Sequence, residues 1–186
     1  MDNEVLKLIA SLDEREAIHI LRNMAKKDSR CKDMILSEIH SIFSEVSVES
    51  VAKAVFDSLG SVPIEDCWEQ AGETRWGTYR DVGDVAYDIA SDIMRIHVQE
   101  MERYGKLGGT KVGRMYLQGI LLGLHTYRSE ADSDFSIYIE ELPDNRAEDL
   151  IKSWLRIHPE SEQETKHLRA FIEDQCPDWQ FLFHLS

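Results

Sequence analysis

The chain has 186 residues, 42% of them hydrophobic and 30% charged, with a formal net charge of −14. That length and balance describe a folded chain with one large or two small cores and exclude a disordered one. The negative charge repels phosphate backbones, so no nucleic-acid partner is expected, and no apolar run reaches the ~18–20 residues needed to span a bilayer, so no membrane partner is expected either.

From the N-terminus, Val5, Leu8, Ile9 and Leu12 recur at helical spacing. Met1 to Glu4 carries neither the basic nor the apolar region of a secretory leader, which points to a cytoplasmic protein. Asp13 can cap a second helix through about Lys27, with Ala17, Ile18, Leu21, Met24 and Ala25 on its apolar face. The cationic cluster from Arg22 to Lys32 reads as a solvated helix end, with a local phosphate contact as the rival. A third helix carries Met34, Ile35, Ile39, Ile42 and Phe43. Ser47 can cap a fourth, and Gly60 should close it in the left-handed conformation.

After residues 67–80, Asp81 or Gly83 opens a long helix with Val85, Ala86, Ile89, Ile93, Ile96 and Met101 along one stripe. Gly105, Gly108 and Gly109 form a turn, and a helix from about Thr110 to Arg128 follows. The short turn predicts that these two helices pack as an antiparallel hairpin. Gly119 and Gly123 lie on one face, where two missing side chains let a neighbouring backbone come close. A short helix near Phe135, one from Pro143 to about His158 and a weaker one from Glu160 to Gln175 complete the pattern.

Strand signals are nearly absent. The expected fold is all-α, with about eight helices in antiparallel hairpins. They would form a HEAT- or TPR-like superhelical stack or an irregular bundle. A single domain, 1–186, is expected, with 1–60 and 61–186 as its sub-units.

The segment from Cys67 to Arg80 concentrates Trp68, Arg75, Trp76, Tyr79 and Arg80 where the helical period stops. Aromatic and Arg side chains supply much of the energy of protein interfaces, so these five are the first partner-binding candidates. The competing reading has Trp68 and Tyr79 plugging a junction between helix pairs while Trp76 covers a seam. Asp84, Asp88 and Asp92 repeat at four-residue spacing beside the segment. Asp84 and Asp88 join the candidate surface as an acidic face suited to a partner with a basic segment. Solvated helix positions explain the same spacing.

Other chemistry is thinly supported. Cys31, Cys67 and Cys176 form no CxxC pair, so neither a zinc nor a redox motif is present. His97 and Glu100 lie three apart, but the Glu-x-x-His order of di-iron bundles is reversed and no second pair occurs. No nucleophile motif is present, and the Gly-rich turn at 105–111 lacks the Gly-Lys-Ser/Thr ending of a phosphate loop. The apolar tail around Trp179, Phe181, Leu182 and Phe183 should dock on the chain's own last helices. The rival is a symmetric homodimer through Trp179, Phe181 and Phe183.

Two stretches carry a resemblance. Leu12 to Ile18, Met24 to Asp28 and Cys31 to Leu36 resemble the paired-helix units found beside SWIM-type zinc fingers in prokaryotic proteins. Val62 to Trp68, Gly77 to Tyr79 and Gly119 to Leu124 are similar to the helical segment of uncharacterised relatives. The zinc finger itself is absent, so the resemblance implies no zinc ligand and no catalytic residue. It implies a helical-repeat interaction module. The expectation is therefore a non-catalytic adaptor or scaffold that needs no cofactor. The alternative is a small-molecule or divalent-metal-dependent enzyme using Asp84, Asp88, His97 and Glu100 between helices.

Overall fold

The computed structural model describes residues 2–44, 46–73, 75, 77–158 and 161–183. The fold is all-α. The described residues form ten α-helices, a 3₁₀ segment and a two-stranded ribbon of two residues per strand. They divide into two compact units, Met1–Glu45 and Val46–Ser186. The division falls before the fourth helix rather than after Gly60.

The first unit holds α1 (Asp2–Ala10), α2 (Glu14–Lys27) and α3 (Ser29–Ser44). Asp13 caps α2 as expected. Its carboxylate accepts from the Glu16 amide, and the Glu16 side chain accepts from the Asp13 amide. This reciprocal box satisfies two amides that a helix start leaves orphaned. Lys26 and Lys27 occupy the last turn, where cations offset the helix dipole, and the whole cationic cluster from Arg22 to Lys32 is solvent-exposed. Asp28 separates α2 from α3 and accepts from the Arg30 amide at 2.8 Å. None of the residues of α2 is buried.

The second unit is built on α4 (Val48–Gly60), α5 (Ile64–Gln70), α6 (Val82–Gly108), α7 (Thr110–Glu130), α8 (Asp134–Tyr138), α9 (Leu142–Ile157) and α10 (Glu162–Gln175). Helices α4 and α7 are in intimate contact, and this explains the two glycines of α7. A Cβ on Gly119 would stand 2.5 Å from Val51 Cβ and 2.9 Å from the Val48 carbonyl oxygen; one on Gly123 would stand 2.6 Å from the Ala52 carbonyl oxygen. This packing ties α4 to the second unit and sets the division between the units before it. Ser47 caps α4 as expected. Gly60 does not adopt the left-handed conformation; the helix passes into Ser61, whose amide bonds the Asp57 carbonyl at 2.9 Å.

Helices α6 and α7 form the expected hairpin. Gly109, with φ of 87°, makes the reversal, and Gly105 and Gly113 face each other closely enough that a Cβ on Gly113 would lie 2.9 Å from Gly105 Cα. The Arg114–Glu164 ion pair, with His167 at 2.8 Å from the same guanidinium, ties α7 to α10. The tail Pro177–Phe183 is a 3₁₀ segment that docks on its own unit. Trp179 is fully buried, and its indole N–H donates to Asp144 at 2.6 Å. Arg128 reaches both Asp144 and Asp178 at 3.3 Å, fastening the tail to α7 and α9.

Candidate partner-binding surface

The segment read as aperiodic begins as a helix. Pro63 precedes α5 with its φ near −73°, Glu65 and Asp66 stand in the first turn, and Ile64 and Cys67 point into the core three residues apart. With Cys67 inward, Trp68 faces outward and is 52% exposed. A run of seven helical residues with only two buried positions is too short for periodicity to reveal it. Burial pushes the Cys67 thiol above its ordinary range, with Asp66 adding to the shift, so Cys67 is a packing residue.

After Ala71 the chain forms the ribbon β1 (Gly72–Glu73) and β2 (Tyr79–Arg80). The strands are antiparallel, with Gly72 opposite Arg80 and Glu73 opposite Tyr79. The ribbon leaves no strand signal in the sequence because a two-residue pair is below the length at which alternation is visible. Positive φ at Gly72 (111°) and Gly77 (75°) requires glycine at both positions. Alternation along the ribbon turns Gly72 and Arg80 partly inward and Glu73 and Tyr79 outward, leaving Tyr79 74% exposed. Arg75 is exposed at the turn. Trp76 lies outside the described residues.

The ribbon is anchored to α6. Arg80 donates to Asp88 at 2.6 Å, so one member of the acidic face is already paired. Asp81 caps α6 by accepting from the Gly83 amide at 2.7 Å. Asp84 is exposed in the first turn, and Asp92 pairs with Arg95 at 3.0 Å.

The residues of the enzyme alternative do not converge. His97 is buried and meets Ser58 Oγ at 3.3 Å, Glu100 pairs with Arg103, and Asp88 pairs with Arg80. Among the described residues, no group of three or more His, Cys, Asp or Glu side chains is placed to hold a metal ion. The tail is likewise accounted for. Trp179 is buried in its own unit, Phe181 is 48% exposed, and the Phe183 side chain lies outside the described residues.

One feature escaped the sequence reading. A cleft of about 920 Å³ runs between α6 and α9, lined by Ser91, Arg95, Gln99, Arg146, Ser153 and Arg156 among others. Arg146 donates to Ser91 Oγ at 2.7 Å and lies 5.9 Å from the Tyr87 ring centroid. Nothing in either helix alone announces the cleft, since its walls are about 50 residues apart in the chain.

The chain matches no family model, no curated protein and no solved structure. No helix among the described residues is long and apolar enough to cross a membrane.

Proposed function

We propose that this chain is a non-catalytic protein–protein interaction module, an adaptor or scaffold, whose partner docks on α5, the ribbon and the first turns of α6. The observation that carries this reading is the exposure of Trp68 on α5 and of Tyr79 on a ribbon whose base is fixed. Trp and Tyr hide large apolar bodies when they can, and exposed aromatics near Arg residues are the side chains that anchor interfaces. Ile64 and Cys67 hold α5 in the core, and the Arg80–Asp88 pair holds the ribbon, so little ordering cost falls on binding. Arg75, exposed beside the ribbon, extends the surface, and Trp76 is kept as a candidate from the sequence alone. Asp84 and the second carboxylate oxygen of Asp88 favour a partner with a basic segment. The likeness to helical segments beside SWIM-type zinc fingers supports the same reading, as a helical-repeat interaction module.

The test is a tagged capture from the native host, wild type beside a Trp68→Ala/Tyr79→Ala variant. Both side chains are exposed, so the variant should keep its helical circular dichroism. A protein retained by wild type should be lost by the variant. Equal retention by a folded variant rejects this surface.

A further inference from the structure

We propose that a second copy of this chain covers the apolar face of α2, in an antiparallel pairing across a two-fold axis between Ile20 and Leu21. This inference does not rest on the aromatic surface.

Helix α2 has a pronounced apolar stripe yet no buried residue: Ile20 is 42%, Leu21 48% and Met24 44% exposed. Apolar exposure is not confined to α2. Ten large apolar side chains of the first unit are at least 40% exposed. A unit of this size, left with so much apolar surface in water, is near the lower limit of independent stability, and oligomerisation is a common remedy.

The pattern on α2 fits its own copy. Asp13, Glu14 and Glu16 stand at its start and Lys26 and Lys27 at its end. An antiparallel copy sets each acidic start beside a basic end and opposes the two helix dipoles. With the axis between Ile20 and Leu21, Ile20 meets Leu21 of the copy, Ala17 faces Met24 of the copy, and Glu16 flanks Lys27 of the copy. Charge also favours this unit as the meeting place. Residues 1–45 hold seven Lys and Arg against nine Asp and Glu, whereas the whole chain carries −14. Two copies therefore approach through the part of the chain that repels itself least.

Sedimentation equilibrium on the full chain tests the pairing. Wild type should be dimeric at about 100 µM, and Leu21→Glu should raise the dimer dissociation constant at least about 30-fold with unchanged helical circular dichroism. Lys27→Glu, which leaves the Asp13–Glu16 capping box intact, should also weaken the dimer with unchanged helical circular dichroism. It gives the answer even if Leu21→Glu loses helix. A monomeric wild type, or a dimer indifferent to both Leu21→Glu and Lys27→Glu, would overturn the proposal. The Trp68→Ala/Tyr79→Ala variant should stay dimeric, which separates this interface from the aromatic surface.

Discussion

Single side chains divide into those that face a partner and those that hold the frame, and His97 belongs to the second group. Ser58 gives its one hydroxyl proton to the Ala54 carbonyl at 2.6 Å, so its oxygen is left to accept from His97 Nε2–H at 3.3 Å. Burial holds the His97 pKa below the ordinary 6.5, which favours the neutral imidazole. A depressed histidine pKa means the unfolded chain binds the proton more readily. The stability His97 contributes is thus fully present above about pH 6.5 and is lost as pH falls toward the folded-state value. Urea midpoints at pH 7.5 and 5.5 check this: wild type should lose more stability on acidification than His97→Gln. An equal loss would remove His97 from the pH response. The tail shows the same economy at Cys176, whose thiol is pushed up to about 12 by burial and by Asp178. It is a core residue.

Among the elements, the α4–α7 contact depends most on residue size. Gly normally costs a helix about 1 kcal/mol against Ala, so an alanine would help α7 if it were isolated. At Gly123 the added methyl would strike the Ala52 carbonyl oxygen and Val55 Cβ, at 2.6 and 2.7 Å. Backbone cannot move aside as a flexible side-chain end can, so the clash outweighs the propensity. Gly123→Ala should lower the unfolding free energy by about 1–3 kcal/mol. Gly60→Ala, in a helical position with nothing within 4 Å, should raise it by up to about 1 kcal/mol. Denaturant melts of the two variants give the comparison; Gly123→Ala as stable as wild type would contradict the close approach. The glycine spacing made this contact legible in the sequence, but which helix came close was not. The sequence likewise placed Trp68 among the candidates without showing that it lies on a helix anchored by Cys67. The burial of Cys67 depends on α6, which begins 15 residues later in the chain.

For the molecule as a whole, the two units differ in how they meet water. The second closes a core that runs from Val51 to Leu182 and is completed by its own tail. Trp179→Ala would empty a fully buried site and strand the Asp144 carboxylate beside Arg128. It should cost about 3–5 kcal/mol and lower the thermal midpoint by several degrees. Thermal unfolding followed by tryptophan fluorescence and circular dichroism would show this, and an unchanged midpoint would mean that the tail does not seal the core. The first unit has no such closure in α2, and so its apolar stripe is better explained by association than by internal packing.

The sequence by itself determined the all-α class, the helix starts at Asp13 and Ser47, and the α6–α7 hairpin, and it narrowed the start of α6 to Asp81 or Gly83. Each follows from local chemistry: caps, periodicity and a glycine turn act within a few residues of one another. It also marked Trp68, Arg75, Trp76, Tyr79 and Arg80 by their unusual concentration. Only the tertiary structure decided that Cys67 turns inward while Trp68 stays exposed, that Arg80 is held by Asp88, that Trp179 is consumed by its own core, and that α4 joins the second unit. Those outcomes depend on which surfaces meet. Side chains far apart in sequence compete for the same buried volume, and the loser is left in water.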